Sequence, residues 1–391
     1  MKLTFHWFLP TYGDSRHIVG GGHGVPAGSA GGARPATLAY LGQIARSAEQ
    51  LGFVGALTPT GAWCEDAWLS TAMLTEVTES LKFLVAFRPG LVSPTLAAQM
   101  AATFQRHSAG RLLLNVVVGG EAHEQRAYGD YLSKDERYER ADEFLHIVRS
   151  LWKGEPVTFA GRHLRVEEAT IPRRPEPEPP LYFGGSSKAA GPVAARHSDV
   201  YLTWGEPLAE VTAKIDWMRQ EAGQLGRTLR FGIRLHVITR DTAQAAWAEA
   251  QRLLDGIDPE SIRKIQAGLA RSESVGQKRM IALHNGSTAN LEVAPNLWAG
   301  VGLVRGGAGT ALVGSHTEVA ARIKEYAAAG ISEFILSGIP HLEEAYWFGE
   351  GVLPQLQREG LWEHPRGGVR GSAGVEAVDV PFSPAATRAA Q

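Results

Sequence analysis

Cysteine is almost absent from this sequence, because Cys64 is the only one among its 391 residues. A single cysteine excludes a disulfide framework within the chain and excludes a metal site built from several thiolates. The 13 histidines show no spacing that is typical of metal ligands, so we predict no metal site. A chain without disulfides suits a reducing compartment, and we expect a cytoplasmic protein.

A strong net charge and long apolar runs are also missing. The chain has 39 lysine and arginine residues against 41 aspartate and glutamate residues, for a formal net charge of -2. This balance provides no basic surface for nucleic acid or for an anionic membrane. No apolar run reaches the roughly 18 residues that a membrane-spanning helix needs. The first residues, MKLTFHWFLP, do not have the pattern of a secretory signal peptide. We therefore expect neither a nucleic-acid partner nor a membrane partner.

Short apolar runs recur along the chain and mostly lack alternation with polar residues, which indicates strands buried on both faces of a parallel sheet. Helical apolar stripes, such as Leu41, Ile44 and Ala48, lie between most of these runs. About eight alternations of strand and helix predict an α/β fold, a (β/α)8 TIM barrel, with a doubly wound open sheet as the alternative. The apolar runs begin at Leu3, Phe53, Leu81, Arg111, Pro180, Asp199, Arg230 and Glu333.

Three segments interrupt this alternation. Residues 20–32 are too rich in glycine to be ordered on their own. Residues 255–315, between the seventh and eighth predicted strands, are far longer than an ordinary connection, and they predict an insertion, part helix and part mobile loop, that acts as a lid. Residues 363–391 are rich in proline, glycine and alanine and predict a disordered tail or one draped over a partner. We expect one barrel domain over residues 1–362.

Polar residues near the strand ends are the first candidates for a site, because barrels of this type place it at the carboxyl ends of their strands. The segment PLYFGGSSKAA, from Pro180, has the pattern of a strand, two glycines, two serines and a helix. Its glycines, with Ser186, Ser187 and the free N–H groups of the helix start, suit a phosphate. An ordinary serine cap after a glycine turn is the alternative. Arg137 and Tyr138 can add a guanidinium and a phenol from a neighbouring loop, or can belong to a solvated helix start.

Arg234 and His236 alternate on the predicted seventh strand, so their side chains point to the same side. If that side faces the barrel interior, a charge and an imidazole meet there, which costs free energy unless they serve a ligand. A guanidinium suits an anionic substrate and an imidazole suits proton transfer. The alternative is a strand whose arginine and histidine face the outer helices. We favour the functional pair, because an arginine is rarely buried there without a partner.

Cys64 and Arg305 are two further candidates. Cys64 follows the second predicted strand, and its acidic neighbours Glu65 and Asp66 argue against a reactive thiolate, so a packing role is at least as well supported. The stretch VGLVRGGAGTALVGS, residues 301–315, lacks the lysine of a Walker A loop and the glycine spacing of a dinucleotide-binding fold. It predicts a flexible hinge that delivers Arg305 to an anion.

Several motifs of this chain closely resemble those of the reduced-flavin-dependent alkanesulfonate monooxygenases, which belong to the bacterial luciferase-like superfamily. The resemblance covers about residues 1–362. The motifs that carry it include FLPTYGD, PTGAWCEDAW, SPTLAAQMAATFQRHSAGR, PPLYFGGSS, YLTWGEP, RFGIRLHVI, NLWAGVGLVRGGAGTALVG and SGIPHLEEAY. It implies a TIM barrel that takes reduced FMN from a separate NAD(P)H-dependent FMN reductase. With O2, such an enzyme cleaves the C–S bond of an alkanesulfonate and releases sulfite and an aldehyde. A homodimer or homotetramer is also implied.

The resemblance further implies a role for each matching residue. Arg234 and His236 face the sulfonate and the flavin, and Arg305 is the lid arginine that helps to close the site. Two positions depart from the family pattern, because Tyr12 replaces a histidine and Ile339 replaces a tyrosine, and both bear on substrate range and rate. The substrate and lid side also includes Trp204 and His341, and the implied cofactor-binding residues are Cys64, Asn115, Tyr138, Ser186 and Ser187.

Two other functions are compatible with this sequence. One is a related monooxygenase that acts on methanesulfonate or on another organosulfur compound, for which Tyr12 and Ile339 would reshape the pocket. The other is a flavin-binding barrel that has lost catalysis. The presence of Arg234, His236 and Arg305 together argues against the second, because a passive binder has no need of a lid arginine.

Overall fold

The computed structural model of the protein describes residues 2–18 and 32–366. Its strands are β1 (Thr4–Phe8), β2 (Gly55–Thr58), β3 (Lys82–Phe87), β4 (Leu112–Val116), β5 (Val157–Ala160), β6 (Arg165–Ala169), β7 (Leu181–Gly184), β8 (Val200–Trp204), β9 (Arg230–Arg240), β10 (Glu292–Ala294), β11 (Leu297–Trp298), β12 (Ala311–Ser315) and β13 (Glu333–Ser337). Its helices are α1 (Leu38–Leu51), α2 (Ala67–Leu74), α3 (Pro94–His107), α4 (Ala122–Ala127), α5 (Lys134–Trp152), α6 (Ala190–His197), α7 (Leu208–Gly223), α8 (Ala243–Asp255), α9 (Pro259–Leu269), α10 (Val275–His284), α11 (His316–Ala329), α12 (His341–Gly351) and α13 (Leu353–Arg358).

Eight of these strands form a closed barrel in which every neighbouring pair is parallel. The order around the barrel is β1, β2, β3, β4, β7, β8, β9 and β13, and β13 pairs with β1 to complete the ring. Each apolar run found in the sequence contains one barrel strand. The closed ring confirms the predicted (β/α)8 TIM barrel and excludes the doubly wound open sheet, whose edge strands stay unpaired.

Local sequence signals set the ends of the barrel helices. The Thr37 side chain accepts a hydrogen bond from the N–H of Tyr40 at the start of α1, and Gly52 ends that helix with a φ of 90°. At the start of α5, Ser133 and Glu136 bond each other's backbone N–H groups in a capping box. Such caps satisfy N–H groups that the first helical turn leaves free. The helices therefore start and stop where the strand spacing requires, with their apolar faces on the barrel.

A buried polar cluster fills the amino-terminal end of the barrel. The carboxylate of Glu333 accepts a hydrogen bond from Tyr182 Oη at 2.7 Å, lies 3.1 Å from His6 Nε2 and is bound by Arg230. Burial opposes ionisation of Glu333, but His6 and Arg230 outweigh it and lower the pKa of the carboxyl group. Side chains thus fill this end of the barrel, and barrels of this type hold their ligands at the carboxyl ends of the strands.

The predicted insertion lies between β9 and β13 and contains more regular structure than the sequence suggested. Residues 255–315 hold α9, α10 and a small sheet of β10, β11 and β12, and the helices α8 and α11 flank them. Residues 311–315, which we assigned to the flexible part, form strand β12, which pairs in parallel with the second half of β9 from His236 to Arg240. A run of five residues beside several glycines cannot be distinguished from a turn by sequence alone, because its partner strand lies 75 residues earlier.

Some features fall outside these predictions or outside the described residues. The antiparallel pair β5–β6, between α5 and β7, was not predicted. The glycine-rich segment lies outside the described residues except for Gly32, and the tail lies outside them except for residues 363–366. Within residues 2–18 and 32–366, no helix is both long enough and apolar enough to cross a membrane.

Candidate active site

A cavity opens at the carboxyl ends of the barrel strands and encloses about 1550 Å³ of space, including its open mouth. Two of the sequence-predicted site residues, Cys64 and His341, do not line it. The predicted residues that do line it are Asn115, Tyr138, Ser186, Ser187, Trp204, Arg234, His236 and Arg305.

The turn after β7 forms one wall of this cavity. A Cβ atom on Gly185 would lie 2.7 Å from Ala190 Cβ and 3.1 Å from Tyr138 Oη, so this close packing requires glycine. The carbonyl of Gly185 accepts a hydrogen bond from Tyr201 Oη at 2.6 Å, which holds the turn against β8. Ser187 Oγ is buried and has no hydrogen-bond partner among the described residues. A buried hydroxyl without a partner costs free energy, and a ligand oxygen would satisfy it.

Helix α5 places Tyr138 in the cavity and turns Arg137 away from it. Burial raises the pKa of Tyr138, so the phenol keeps its proton and can donate it. Arg137 is buried and its Nη2 lies 3.1 Å from the carboxylate of Glu273, which ties α5 to the insertion. Arg137 is therefore neither a cavity residue nor part of a solvated helix start. Lys134, one turn before Tyr138, also lines the cavity and was missed from the sequence.

Arg234 projects from β9 into the cavity and stacks on Phe8 of β1, with its guanidinium carbon 4.6 Å from the ring centroid. Its side chain donates to Ser337 Oγ at 2.9 Å and to a backbone carbonyl, and no carboxylate pairs with it within the described part of the chain. Burial lowers the pKa of Arg234 to about 9, with Arg305 adding to this effect and Tyr12 opposing it. The guanidinium is charged at neutral pH, and in a cavity of low polarity such a charge attracts an anion.

His236 lies two residues further along β9 and is held at both ring nitrogens. Nδ1 lies 2.8 Å from Ser337 Oγ, and Nε2 lies 3.2 Å from the carbonyl oxygen of Ala308. Burial lowers the pKa of His236 well below its usual value, and Arg234 and Arg305 lower it further. The imidazole is therefore neutral at pH 7, which suits a group that accepts or donates a proton next to two cations.

Arg305 reaches the cavity from the insertion, between the short 3₁₀ turn Gly300–Leu303 and β12. Its guanidinium carbon lies 4.4 Å from the ring centroid of Tyr12, and the residue is only 6% exposed. All residues from 301 to 314 are buried. The segment predicted to be a hinge thus packs against the barrel in this structure and holds a cation at the cavity wall.

The first turn of α10 forms the roof of the cavity. Ser274, which caps this helix, and the following residues Val275 to Gln277 line the site. Gln277 Oε1 accepts a hydrogen bond from the backbone N–H of Gly307 at 2.9 Å. This bond joins α10 to the segment that carries Arg305, so the roof and the lid arginine belong to one connected unit.

An ion cluster borders the cavity beside β8 and is formed by the buried Glu206 and Lys214 and the partly exposed Arg279. Glu206 Oε2 lies 2.6 Å from Lys214 Nζ of α7, and its Oε1 lies 2.5 Å from Arg279 Nε of α10. Lys214 also donates to Thr203 Oγ1 at 2.9 Å. Burial lowers the pKa of Lys214, while Glu206 opposes this shift. The cluster links the barrel to the roof, and the sequence did not reveal it because its members lie on separate elements.

Cys64 lies behind the cavity wall and packs against a cluster that contains Phe8, Tyr12 and Trp63. Its Sγ lies 3.5 Å from the carbonyl oxygen of Gly61. Burial raises the pKa of this thiol to about 12, so it is protonated at neutral pH and is a poor nucleophile. The geometry thus assigns Cys64 a packing position next to the site.

His341 begins α12 and forms a pair with Asp14, which follows β1. Its Nδ1 lies 3.0 Å from Asp14 Oδ1, and its backbone N–H donates to Asp14 Oδ2 at 2.9 Å. Although burial alone would raise the pKa of Asp14, His341 and Tyr40 lower it to about 2. His341 therefore holds together the loops after β1 and β13 next to the cavity. Asp14 was not predicted, because its partner is 327 residues away.

The two positions that depart from the family pattern also lie outside the cavity lining. Tyr12 is buried beneath Arg305, and its ring centroid lies 5.3 Å from that of Trp63. Ile339 packs in an apolar cluster with residues of the insertion, including Leu303. Both residues therefore act on the cavity through the side chains that they support.

The fold is a closed parallel barrel with a cationic cavity at the carboxyl ends of its strands, and an insertion before the eighth strand covers that cavity. This arrangement is typical of TIM-barrel enzymes. A family model described as luciferase-like monooxygenase matches residues 3–333. The chain belongs to the luciferase-like monooxygenase family.

Solved structures with the same barrel share little sequence with this chain. It is similar to riboflavin lyase RcaE, solved with modified FMN and the substrate riboflavin, at a TM-score of 0.77 and 21% identity over 93% of both chains. It is also similar to the long-chain alkane monooxygenase LadA, at a TM-score of 0.74 and 19% identity over 93% of both chains. The EDTA monooxygenase EmoA from Chelativorans sp. BNC1 matches at 0.71 and 17%, over 93% of this chain and 96% of that one. At these identities the likeness establishes the fold.

Proposed function

We propose that this luciferase-like monooxygenase is the oxygenase of a two-component system that uses reduced FMN and O2 to cleave the C–S bond of alkanesulfonates. The products are sulfite, for sulfur assimilation, and an aldehyde. The observation that carries the proposal is the pair of cavity-lining guanidiniums, Arg234 from the barrel and Arg305 from the insertion. A sulfonate is a permanent anion with three acceptor oxygens, which two guanidiniums can bind together.

The cavity residues fit FMN at the turn after β7. The phosphate group would accept hydrogen bonds from Ser187 Oγ, which has no partner among the described residues, and from Ser186, Tyr138 and Lys134, which line the same cavity. When bound, reduced FMN supplies the electrons and the reaction with O2 that no side chain provides. Apolar side chains that line the cavity and suit the flavin ring are Leu57, Val116, Leu202 and Ile335.

Arg234 and Arg305 bind and orient the sulfonate. Each guanidinium already rests on an aromatic ring, Phe8 or Tyr12, so little ordering is needed when the anion binds. Because the site is enclosed by the barrel and by α10, the attraction between these cations and the anion is stronger than it would be in water.

His236 handles a proton next to the bound anion. Its ring is neutral at rest, so it places no third charge beside Arg234 and Arg305 until it accepts a proton. The roof from Ser274 to Gln277 limits the entry of water to the cavity, where reduced FMN would be held.

The proposal includes a separate NAD(P)H-dependent FMN reductase as the source of reduced FMN, and a homodimer or homotetramer as the assembly. Both are supported by the motif resemblance. Light scattering of the purified protein measures the assembly. Omission of the reductase from the assay tests the need for a separate reductase, because the oxygenase alone with NADPH and oxidised FMN should release no sulfite.

The decisive assay combines the purified chain with FMN, an FMN reductase, NADPH, O2 and linear sulfonates from methanesulfonate to decanesulfonate, and measures sulfite. We expect sulfite from at least one of these sulfonates. No sulfite from any of them, in protein that binds reduced FMN tightly, would overturn the proposal. Turnover of methanesulfonate alone would favour the narrower organosulfur monooxygenase.

Matched arginine variants show whether the two cavity cations carry the activity. Arg234→Ala and Arg305→Ala should each abolish sulfite release while the fold is retained. Arg263→Ala is the control, because Arg263 lies on the surface of α9 with 76% of its side chain exposed. Unchanged turnover in either cavity variant would contradict its assigned role.

A further inference from the structure

Ser337, the last residue of β13, bonds both functional side chains of the neighbouring strand β9. Its Oγ lies 2.9 Å from Arg234 Nη2 and 2.8 Å from His236 Nδ1. The residue is completely buried, so solvent does not compete for these hydrogen bonds. One hydroxyl thus bridges the cation and the imidazole of the site.

The chemistry of each group sets the direction of these hydrogen bonds. A guanidinium only donates, so Ser337 Oγ accepts from Arg234. The carbonyl of Ala308 only accepts, so His236 carries its proton on Nε2, which lies 3.2 Å from that oxygen. Nδ1 of the neutral ring then holds a lone pair, and Ser337 donates its hydroxyl proton to it. The hydrogen bonds therefore run in one direction, from Arg234 through Ser337 and His236 to Ala308.

We propose that Ser337 is a positioning residue: together with the carbonyl of Ala308 it holds His236 as the Nε2–H tautomer, and it fixes the side chain of Arg234 beside that ring. The bonds that it organises connect the barrel to the lid, because Ala308 lies three residues after Arg305. The effect of Ser337 on turnover rests on the proposed function, whereas the tautomer does not depend on any substrate.

The surroundings of His236 keep its ring neutral, so the property that can still vary is which ring nitrogen carries the proton. The charged or titratable groups that face it are Arg234 on the same strand, Arg305 on the insertion and His341 at the start of α12. Burial and these neighbours disfavour the imidazolium form. A neutral ring with one fixed acceptor at Ala308 then needs a hydroxyl donor at Nδ1, and Ser337 provides it.

The direct test is nitrogen-15 NMR of histidine-labelled protein, which distinguishes the two neutral tautomers of an imidazole. The His236 signals are identified by their loss in His236→Gln. We expect the Nε2–H form alone in the wild type and in Ser337→Thr, which keeps the hydroxyl group. In Ser337→Ala we expect a mixture with the Nδ1–H form. An unchanged, pure Nε2–H tautomer in Ser337→Ala would overturn the proposal.

Steady-state kinetics provide the second readout, with Ser332→Ala as the matched control. Ser332 precedes the same strand, is buried and donates to a carbonyl of Phe231 at 3.3 Å, but it lies at the opposite end of the barrel. Ser337→Ala should lower kcat by roughly tenfold or more and shift its pH profile, as expected for a misplaced acid–base group. Ser337→Thr should recover most of this loss, and Ser332→Ala should show neither effect.

The two readouts separate this inference from the proposed function. If the wild type releases no sulfite, the proposed function fails, while the NMR comparison still decides the role of Ser337. If Ser337→Ala does not fold, Ser337→Cys replaces it, because a thiol is a much weaker donor to Nδ1. The positioning role would be contradicted if Ser337→Ala, or Ser337→Cys in its place, had the same kcat and the same pH profile as the wild type.

Discussion

The guanidinium of Arg305 lies over the ring of Tyr12, 4.4 Å from its centroid, and this contact joins the insertion to the loop after β1. Arg234 makes the same kind of contact with Phe8, at 4.6 Å. Two aromatic side chains four residues apart therefore support both cations of the cavity. Tyr12 thus acts as the platform for Arg305.

Tyr12→Leu should raise the KM for sulfonates by roughly 5- to 30-fold, with a smaller effect on kcat. The reason is that the contact between Arg305 and the Tyr12 ring contributes about 1–2 kcal/mol when it is shielded from water. Tyr12→Phe keeps the ring and should stay within about twofold of the wild type. Sulfite release as a function of sulfonate concentration measures both values, and equal KM values for the two variants would show that the ring does not position Arg305.

Gly185→Ala should abolish binding of reduced FMN at micromolar concentrations. The new Cβ would lie 2.7 Å from Ala190 Cβ, so the turn that holds Ser187 would have to move. Gly223→Ala is the matched control, since a Cβ there meets no atom within 4 Å. Anaerobic fluorescence titration with reduced FMN gives the Kd of each variant. Tight binding by a folded Gly185→Ala protein would place the phosphate elsewhere.

Glu206→Gln should lower the free energy of unfolding by about 3–5 kcal/mol, because it leaves the buried Lys214 without a counter-charge. Urea unfolding of the wild type and the variant measures this difference. Glu210→Gln, in the first turn of α7 and outside the ion cluster, is the control and should change little. A Glu206→Gln protein as stable as the wild type would mean that Lys214 is solvated.

Protonation of Asp14 should make the protein less stable as the pH falls below about 4. Its pKa is lowered from 3.8 to about 2 in the folded chain. A carboxyl group of this kind stabilises the fold above its unfolded pKa, by about 2 kcal/mol, and this contribution is lost as the pH falls through the folded value. Unfolding by urea at pH 6 and pH 3 measures the effect. Asp14→Asn should be less stable than the wild type at pH 6, and this difference should be smaller at pH 3. The control is Asp216→Asn, a change at an exposed residue, which should match the wild type at both pH values.

Local patterns carried most of what the sequence predicted correctly. The barrel strands are short apolar runs, and the turn at Ser186 and Ser187 is one contiguous motif that ends in a helix. The alternation of Arg234 and His236 placed both side chains on the same side of one strand, and the structure puts both in the cavity. Each of these signals fits within about ten residues of chain.

Residues that depend on distant partners could not be found in this way. Asp14 and His341 meet across 327 residues, and Glu206 and Arg279 meet across 73, so no local spacing connects them. Ser337 is different, because it is a polar residue at the end of a predicted strand, and the same rule that selected Ser186 would have selected it. Its two partners become visible only when β13 is placed beside β9.

Strand β9 has 11 residues, and its two halves belong to different parts of the molecule. The first half pairs with β8 and β13 as part of the barrel, and the second half, from His236, pairs with β12 of the insertion. The two parts of the site are therefore aligned by the register of one continuous strand. In protein engineering, a loop graft that keeps β12 would preserve this alignment, whereas removal of a single residue from β12 would turn its side chains to the opposite face and displace Arg305.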